Sequence, residues 1–587
     1  MWKRLHNKGK PIKTIEHKVD FCVVGGGLAG LSAAVAAARH GARVALMHDR
    51  PIPGGNASSE IRMWVCGARG LNHRETGLIE EIQLDNRHRN PLRNFSIWDS
   101  ILYEKARFEP NLTLLLNCAC NRLKKTDKRI RSVTGWQSTS ETWHTVSAPL
   151  FADCSGDSIL APLSGADFRI GREARAEFGE SIEPETADSR TMGMSCLIQA
   201  RQTDRPQSFI PPAWANRYES DTELPHRSHD FRGLSNFWWI ELGGEQDSIH
   251  DTDALRDELL KAAFGVWDHI KNKGDHGADN WALDWVGFLP GKRESRRYLG
   301  DHLLTQNDVQ TEGHFEDIVG YGGWPMDDHH PGGLRWPGEP TVYHPAPSPF
   351  GIPYRCLYSR NITNLFCAGR NISVTHAALS STRVMATCAT LGQAVGTAAA
   401  LATTHHLSPR RVGQKRITEL QALLMEDDLW LPGFRRTPSA LTQGSTLTAS
   451  EGDPEPLRNG IDRPIGNKDN GWTGSVGAWV QYAFGKPIRI RHLRFVFDSE
   501  LNRPELNIAS NHPWPLESLE VPATLIRTFR IETRNRSGIW NTVMRVEENH
   551  QRLVRLNIDV ETDAVRFIPE STWGAPRCHL FGWDVAE

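Results

Sequence analysis

The sequence has no excess of charge of either sign: its 68 Lys and Arg residues nearly balance 70 Asp and Glu residues. This balance gives no indication of a nucleic acid or an anionic membrane as a partner. Internal repeats and low-complexity tracts are also missing. With 39% hydrophobic and 24% charged residues, the 587-residue chain has the composition of a soluble globular protein, and its length predicts two to four domains.

Long hydrophobic runs are absent as well. The longest weakly polar segment, residues 392–402, is too short and too rich in Gly and Thr to span a bilayer. The first eight residues are polar and basic and lack the apolar core of a signal peptide. These two absences favour a cytoplasmic protein without a membrane partner.

Cysteine pairs with the spacing of zinc or redox motifs are missing too. Of ten cysteines, only Cys118 and Cys120 lie close together, and a C-x-C spacing is not one of the usual pairs. We therefore expect buried, reduced thiols. The adjacent His329 and His330 point in different directions and have no Cys or Glu at a supporting spacing. The sequence thus predicts no metal site.

What the sequence does contain is a glycine motif near its start. An apolar run at residues 19–24 leads into Gly25, Gly27 and Gly30, and an alanine-rich helix former follows at residues 31–41. The first glycine permits a tight turn, the second lets a pyrophosphate approach the backbone, and the third lets helix and strand pack closely. The pattern predicts a strand, a phosphate-binding loop and a helix whose N-terminus faces the phosphates.

A second strand is predicted at residues 43–47, and its end should carry an acid that binds the ribose hydroxyl groups of the cofactor. His48 occupies the usual position of that acid, and Asp49 follows one residue later. We assign ribose binding to Asp49, with Arg50 beside it. The alternative is that Asp49 only caps a loop.

A second glycine loop, Gly54-Gly55-Asn56, comes soon after this strand. Paired glycines with small polar neighbours suit a backbone that wraps the pyrophosphate and ribityl chain of a flavin. A nicotinamide site needs such a loop less, so the sequence favours FAD over NAD as the cofactor.

Two later predicted strands, at residues 149–153 and 364–367, also end in small residues, as a close backbone approach to a cofactor requires. After the second of them, residues 383–402 form a predicted helix of very small residues whose N-terminal dipole would stabilise negative charge on a reduced flavin. The residues that we assign to the cofactor from these segments are Gly156, Asp157, Gly369, Arg370, Gly392, Gln393 and Ala394.

These separated pieces, with the Arg-Glu-Ser-Arg-Arg stretch at residues 293–297, resemble the fumarate-reductase-like FAD-dependent oxidoreductases over about residues 18–402. The resemblance implies an α/β fold in which a Rossmann-like FAD-binding domain is interrupted by an α+β substrate domain. The chain lacks the histidine that anchors FAD covalently in succinate dehydrogenases, and Asn56 and its neighbours occupy the comparable loop. The resemblance therefore implies noncovalent FAD.

From residue 440 onward, apolar and polar residues alternate between Gly, Pro and Asn, which predicts an all-β sandwich. Residues 469–474 and 479–484 resemble a discoidin-type, galactose-binding-like jelly roll. We expect that a cut near residues 430–445 leaves two folding units. The predicted boundaries are 18–190 and 346–402 for the two parts of the FAD-binding domain, 191–345 for the substrate domain, 403–440 for a helical linker and 441–587 for the sandwich.

The pattern predicts an enzyme that moves a hydride between a small organic substrate and the flavin N5 atom. His376 is our candidate for the proton acceptor, and Arg383 for the group that holds a developing oxyanion or the charge of the reduced flavin. Arg62 is expected on the wall of the flavin pocket. The alternative for His376 is a structural histidine with satisfied hydrogen bonds.

Two other functions stay open at this point: a lyase or isomerase that uses flavin without net oxidation, and a carbohydrate-binding protein without turnover. The density of Trp, His and Asp in the substrate region favours a sugar or polyol as substrate. A dicarboxylate would need several convergent arginines, which the chain could also supply. The electron acceptor and a homo-oligomeric assembly are left open.

Overall fold

The structure is a computed structural model that describes residues 12–231, 236–503 and 520–587. The strands are β1 Lys13–Lys18, β2 Phe21–Val24, β3 Val44–Met47, β4 Leu112–Leu115, β5 Cys118–Thr126, β6 Arg129–Gln137, β7 Thr142–Ser147, β8 Leu150–Asp153, β9 Phe168–Arg169, β10 Met194–Ser195, β11 Ile198–Gln202, β12 Glu241–Leu242, β13 Trp281–Val286, β14 Gly291–Lys292, β15 Arg297–Tyr298, β16 Ile318–Gly322, β17 Met326–His329, β18 Thr341–His344, β19 Phe350–Pro353, β20 Leu365–Cys367, β21 Thr446–Ala449, β22 Trp472–Gly474, β23 Val480–Phe497, β24 Ile526–Arg534, β25 Trp540–Val546, β26 Leu553–Thr572 and β27 Cys578–Ala586. The helices are α1 Leu28–Arg39, α2 Leu78–Arg89, α3 Phe95–Arg107, α4 Leu160–Ser164, α5 Arg175–Phe178, α6 Thr252–Asp268, α7 Gln306–Gln310, α8 His376–Thr382, α9 Met385–Thr404, α10 Pro409–Glu426 and α11 Ala440–Gly444.

A five-stranded sheet in the order β20-β8-β2-β3-β4 forms the centre of the first domain, and all its pairs are parallel. Strand β20 comes from the second part of the predicted domain and pairs with β8. The register places Val24 beside Met47 and Asp153, and Asp153 beside Cys367. Because the carboxyl ends of these strands are aligned, the predicted cofactor loops meet at one edge of the sheet.

Helices α1 and α9 cover one face of this sheet and cross at very short distance. A Cβ atom on Gly392 would lie 2.0 Å from the carbonyl oxygen of Ala29, and one on Gly396 would lie 2.1 Å from that of Ala33. Small side chains therefore let the two helix backbones touch. Among the described residues, α9 is long and apolar enough to cross a membrane, but 94% of its apolar window is buried, as in the core helix of a domain.

A second, four-stranded sheet in the order β1-β7-β6-β5 lies beside the first domain's core. The residues predicted as one strand from Leu112 to Cys120 divide between β4 and the start of β5. Strand β1 occupies the edge of this sheet, while residues 1–11 of the predicted N-terminal segment lie outside the described residues. Eight of the ten cysteines are buried, and Cys66 and Cys120 are half-buried.

The inserted domain consists of short antiparallel sheets and helix α6. Strand β10 pairs with β12 and β14, β11 pairs with β13, and β17 pairs with β18. The apolar face of α6, including Leu259, Val266 and Trp267, packs into the separate core of this domain. Strands β14 and β17 carry the charged residues that face the first domain.

Helix α10 lies in the segment predicted as a linker. Its apolar residues Val412, Leu420 and Leu424 are fully buried in the core of the first domain. The helix is therefore packed on that domain rather than suspended between two domains.

The C-terminal region is all-β, as predicted. Its seven strands are hydrogen-bonded in the order β22-β27-β23-β26-β24-β25, with β21 on β23. The alternation of apolar and polar residues predicts separate strands at residues 476–484 and 490–497. The structure instead has the single 18-residue strand β23, which is interrupted by bulges against β26. Phe495, Phe529, Phe567 and Trp583 form the centre of its core. The jelly-roll topology stays a prediction, and residues 504–519 lie outside the described ranges.

Buried ionic contacts join this region to the first domain. The Arg503 guanidinium donates to both carboxylate oxygens of Glu80 over 2.7 and 2.5 Å, and both side chains are 2% exposed. Arg463 is fully buried and donates to the carbonyl oxygen of Asn72 and to the hydroxyl of Thr76 over 3.0 and 2.8 Å. Leu84 of α2 belongs to the core of the C-terminal all-β region, which we call the β region. The two parts are thus packed together through paired charges in a dry interface.

Candidate active site

The glycine loop after β2 has the geometry of a phosphate-binding turn. Gly25 has φ +100°, and a Cβ there would lie 2.4 Å from the Cys154 carbonyl. A Cβ on Gly30 would lie 1.8 Å from the carbonyl oxygen of Gly25. At Gly27 the nearest atom to a Cβ would be the Cα of Gly55, at 3.9 Å, and α1 begins at this residue without a side-chain cap. Gly25 and Gly30 close the turn, whereas Gly27 leaves space beside uncapped helix N–H groups.

The second glycine loop lies against the first. The Gly54 N–H donates to the carbonyl oxygen of Gly26 over 2.8 Å, and Gly54 and Gly55 both adopt positive φ, at 118° and 60°. The Asn56 amide then donates to the carbonyl oxygen of Lys292 over 3.1 Å. This loop therefore bridges the glycine turn and the inserted domain.

His48 has a structural role that the sequence did not reveal. Its Nδ1 atom accepts the Gly26 N–H over 3.0 Å, so Nε2 carries the hydrogen and donates to the carbonyl oxygen of Ile52, also over 3.0 Å. Asp49 lies at the surface, with 63% of its side chain exposed. Arg50 Nη1 is buried and has no hydrogen-bond partner. The assignments of Asp49 and Arg50 to the cofactor stay predictions.

Three of the predicted cofactor residues converge around one carboxylate. Asp157 accepts from Arg370 over 2.6 Å and from Lys292 over 2.7 Å, and Ser295 donates to it over 2.8 Å. Burial alone would raise the pKa of Asp157, but the two cations outweigh it and lower that pKa. A Cβ on Gly156 would lie 2.3 Å from Arg370 Nη1, so glycine is required there. Lys292 and Ser295 were missed because their segment is distant in sequence.

The remaining predicted cofactor residues divide between two places. Gly369, with φ +111°, lies beside the start of α1, where its Cβ would be 3.5 Å from that of Ala29. Gly392, Gln393 and Ala394 lie in the middle of α9. There the Gln393 side chain accepts the Leu78 N–H over 2.8 Å, and Gly392 faces the α1 backbone. In this structure these three residues support helix packing, and their contact with a cofactor stays a prediction.

His376 begins helix α8 and is buried between two acids. Its Nδ1 lies 2.8 Å from Glu294 and its Nε2 lies 3.2 Å from Asp328, and its backbone N–H donates to Glu173. Burial lowers the pKa of His376, but the two carboxylates outweigh burial and raise it well above its ordinary value. A protonated ring cannot accept a proton, so this direction argues against the predicted role of His376 as proton acceptor.

A second network lies across the same interface. Glu241 is 2.6 Å from His329 Nδ1 and 3.3 Å from Arg293, and Asp327 is 3.4 Å from His329 Nε2 and 3.1 Å from Arg383 Nη2. The pKa of Asp327 would be raised by burial, but His329 and Arg383 hold it far below its usual range. The result is a row of alternating basic and acidic side chains that ends in Arg293 on one side and Arg383 on the other.

The alternation of strand β17 separates the two networks. Asp327 contacts His329 and Arg383, whereas its neighbour Asp328 contacts His376. Successive side chains of a strand point to opposite faces, so one short strand supplies an acid to each histidine. The sequence drew attention to Arg383 and His376 but missed this network. The polar run Asp327-Asp328-His329, which forms most of β17, was the available signal.

Arg62 lies away from both networks. It has φ +62°, donates to Gln199 over 2.8 Å, and its guanidinium lies 4.6 and 4.4 Å from the ring centroids of Phe95 and Trp285. Burial lowers its pKa to about 10. Among the described contacts none joins Arg62 to His376 or Arg383. Its predicted place on the flavin wall stays a prediction.

A family model described as FAD dependent oxidoreductase matches residues 20–424. The chain belongs to this family. It is therefore an FAD-dependent oxidoreductase, and the flavin is its expected cofactor. The match begins at the glycine strand, includes the inserted domain and ends within α10, which agrees with the packing of α10 on the first domain.

The residues at the sheet edge fit FAD. Helix α1 of this FAD-dependent oxidoreductase begins uncapped, and a Cβ on Gly27 would meet nothing closer than the Cα of Gly55 at 3.9 Å. Arg370 Nε and Arg50 Nη1 are buried donors without hydrogen-bond partners, although Arg50 Nη1 lies 4.0 Å from Glu60. Buried donors of this kind cost free energy unless a ligand satisfies them, and a pyrophosphate offers suitable oxygen atoms. Gly25, Gly27, Gly54, Gly55 and the two arginines are the residues that would hold it.

The comparison with curated proteins gave no match. Solved structures include a family 32 carbohydrate-binding module from Streptococcus pneumoniae, with 14% identity, 24% of this chain and 96% of that chain covered, and a TM-score of 0.20. A family 32 module from C. perfringens in complex with galactose has 10% identity, coverage of 26% and 98%, and a TM-score of 0.18. Likeness at these TM-scores establishes neither a shared topology nor a shared ligand.

Proposed function

We propose that this FAD-dependent oxidoreductase transfers a hydride between a small hydroxylated substrate, with a sugar or polyol as the first candidate, and the N5 atom of noncovalently bound FAD. When bound, the flavin supplies the hydride chemistry. The chain supplies the binding site, the orientation of the substrate and a group that takes the hydroxyl proton.

The alternating row of Arg293, Glu241, His329, Asp327 and Arg383 carries this proposal. Each arginine is already paired with a carboxylate, at 3.3 Å for Arg293 and 3.1 Å for Arg383. A dicarboxylate would need free arginine charge, whereas a neutral hydroxylated molecule needs donors and acceptors side by side. Arg383 Nε is buried without a partner and is available to such a ligand.

We assign the proton-accepting role to His329 rather than His376. In the neutral form of the ring, the contact of 2.6 Å between Nδ1 and Glu241 would keep the hydrogen on Nδ1 and leave the lone pair on Nε2. The group nearest to Nε2 is Asp327, at 3.4 Å, a separation longer than a good hydrogen bond. Glu241 would thus orient the ring, and Nε2 would accept the proton as the hydride leaves.

Noncovalent attachment is supported by the second glycine loop. Residues 54–59 contain no histidine, and Asn56 is engaged with the carbonyl oxygen of Lys292 over 3.1 Å. An amide does not form the covalent flavin bond that a histidine forms. We expect mild acid to release FAD into the supernatant of precipitated protein.

The deciding experiment is anaerobic bleaching of the bound flavin near 450 nm by a panel of sugars, polyols and hydroxy acids. Reoxidation of dithionite-reduced enzyme by unsaturated dicarboxylates is measured in parallel. We expect bleaching by at least one neutral hydroxylated compound and no dicarboxylate turnover. Rapid turnover with fumarate-like acceptors and silence with every polyol would overturn the substrate class. Turnover that needs no electron acceptor and leaves the flavin oxidised would instead indicate a lyase or isomerase.

A further inference from the structure

The inserted domain contains a group of nitrogen and oxygen ligands far along the chain from the flavin loops. Asp221, His229, His269 and His276 each contribute one ligand atom, and these four atoms all lie within 4.8 Å of one another. Asp221 begins a short 3-10 turn, and His269 begins a π-helical turn that directly follows α6. Two separate stretches of the domain therefore meet at this group.

The distances between the ligand atoms match the edges of a zinc-centred tetrahedron. With metal–ligand bonds of about 2.0–2.1 Å, tetrahedral ligands lie about 3.3–3.4 Å apart. The Nε2 atoms of His269 and His276 are 3.3 Å apart, and Asp221 Oδ1 lies 2.9 Å from the first and 3.4 Å from the second. Two of these three distances thus have the length that a bound ion would produce, and the third, at 2.9 Å, is shorter.

The hydrogen-bond partner of His269 Nδ1 also supports a metal site. Its Nδ1 lies 3.0 Å from the carbonyl oxygen of Tyr218, which can only accept a hydrogen bond, so Nδ1 carries the hydrogen. In the neutral ring, Nε2 then directs a lone pair at the Asp221 carboxylate and at His276 Nε2. A ring that donates one nitrogen to a backbone carbonyl and presents the other to its neighbours is the usual arrangement of a metal-ligating histidine.

The burial of the three histidine side chains also supports a metal site. The His269 side chain is fully buried, while those of His229 and His276 are 15% and 14% exposed. His229 Nε2 is buried and has no hydrogen-bond partner among the described residues. The three rings lie 4.9 to 5.1 Å apart between centroids at tilts of 53° to 60°. The three imidazole rings are therefore not stacked, and they converge on a common point.

We propose that Asp221, His229, His269 and His276 bind one zinc ion in a closed tetrahedral site. Three nitrogen ligands and one carboxylate are a zinc-type ligand set, and four protein ligands leave no position for a substrate, so the site is structural. The sequence-based expectation of no metal rested on His329 and His330 and overlooked this group.

The zinc site would act on the neighbouring substrate site through one long segment. Between β11 and β12 the chain has no strand among its described residues, and Asp221 and His229 lie within this stretch. The stretch ends at Trp238, whose carbonyl oxygen accepts from Arg293 over 2.9 Å and whose ring contacts His329 edge-on at 5.3 Å. Attachment to His269 and His276 would hold residues 221–229 of this stretch beside the end of α6.

The metal content of the purified holoenzyme tests the proposal directly. Elemental analysis should find about one zinc per chain after gel filtration in metal-free buffer. Protein stripped with dipicolinate and loaded with Co²⁺ should show the visible absorption bands of tetrahedral cobalt. Protein that holds another metal, or that is metal-free and binds neither Zn²⁺ nor Co²⁺ at micromolar concentration, would overturn the proposal.

Substitutions of the proposed ligands test whether the zinc is bound at these residues. His276→Gln and Asp221→Asn should each weaken zinc retention against a competing chelator at least tenfold, with FAD absorbance as the check on folding. His250→Gln is the matched control, because His250 lies in the same domain, is 72% exposed and pairs only with Asp247 in the described contacts. Equal zinc retention in all three variants would exclude this site. If the variants do not fold, the cobalt spectrum of the unmodified chain still decides.

Discussion

Two histidines at the interface between the first domain, which we also call the flavin-type domain, and the inserted domain have similar partners but different expected roles. His376 lies between Glu294 and Asp328 at 2.8 and 3.2 Å, and both contacts favour its charged form. His329 has one short contact, to Glu241, and one long contact, to Asp327. His376 therefore has a close carboxylate at both ring nitrogens, whereas His329 has one at Nδ1 only.

This contrast predicts different effects of the same substitution. His329→Gln should slow flavin reduction by substrate about 10²- to 10⁴-fold, since a positioned base is lost, while FAD content and melting temperature stay near those of the unmodified enzyme. His376→Gln should instead destabilise the protein by about 3–5 kcal/mol, because two buried carboxylates lose their cation. Stopped-flow absorbance and thermal melts measure the two quantities. A large rate loss with unchanged stability in His376→Gln would restore it as the proton acceptor.

Three buried glutamates next to His376 make stability depend on pH. Glu173, Glu180 and Glu183 have carboxylate oxygens within 4.8 Å of one another. Burial, with the charges of the other two, raises the pKa of Glu183 to about 7. The folded chain therefore holds a proton that the unfolded chain releases from its ordinary value of 4.5 upward. This group's contribution to stability is complete at low pH and is lost as pH rises to about 7.

The substitution Glu183→Gln should remove the loss of stability that occurs as the pH rises to about 7. The variant should be more stable than the unmodified protein by about 3 kcal/mol at pH 8 and show no advantage at pH 4.5, as a pKa difference of this size implies. Melting temperatures of both proteins from pH 4.5 to 8 measure the effect. Glu185→Gln, on a side chain 80% exposed, is the control and should shift neither end of the range. A constant difference across the range would mean that Glu183 is ionised throughout.

At the scale of single elements, the glycine turn between β2 and α1 shows that similar sequence positions have different structural tasks. Gly30 is required by the fold, because a Cβ there would lie 1.8 Å from a carbonyl oxygen. Gly27 is not, because its Cβ would meet nothing closer than 3.9 Å. The free space at Gly27 is the space that a pyrophosphate would use.

Alanine substitutions therefore separate cofactor binding from folding. Gly27→Ala should fold with a far-ultraviolet spectrum like that of the unmodified protein but lose FAD during gel filtration, because the methyl group occupies the phosphate path. Gly30→Ala should lose both stability and FAD. Gly444→Ala, where a Cβ meets nothing within 4 Å, should change neither property. Full FAD occupancy in Gly27→Ala would mean that the phosphate lies elsewhere.

At the scale of the whole molecule, the β region and the flavin-type domain share a charged but buried interface. Besides Glu80 and Arg503, Arg552 donates to Asp428 over 2.8 Å, with side chains 1% and 5% exposed. Removing one partner of such a pair leaves a charge in a dry environment. The chain is thus less divisible near residues 430–445 than its change in periodicity predicts.

Truncation and point substitution should both show that the C-terminal β region and the first domain depend on each other for stability. A chain that ends at residue 440 should aggregate or melt at lower temperature, since it exposes Leu84 and leaves Glu80 without its cation. Arg503→Met in the full chain should cost about 3–5 kcal/mol of stability. Asp559→Asn, which breaks an exposed pair with Arg489, should leave the melting temperature unchanged. A truncated chain that melts like the full protein and keeps FAD would show that the β region is an independent unit.

The sequence by itself determined the parts of this protein that depend on neighbouring residues. The glycine turn, the buried strands around it, the small-residue helix α9 and the all-β character of the C-terminal region all follow from patterns within about twenty residues. Such patterns work because backbone conformation and the burial of one face are decided locally. They also indicated Gly156, Asp157 and Arg370, which the structure brings to one point.

Only the tertiary structure decided which side chains act together. Glu241 and His329 are 88 positions apart and touch at 2.6 Å, and Asp221 and His269 are 48 apart and touch at 2.9 Å. The state of His376 depends on Glu294, 82 positions away. No spacing rule connects these residues, because their proximity arises from the packing of separate strands and loops. The protonation and charge of a buried group are properties of that packing and not of its place in the chain.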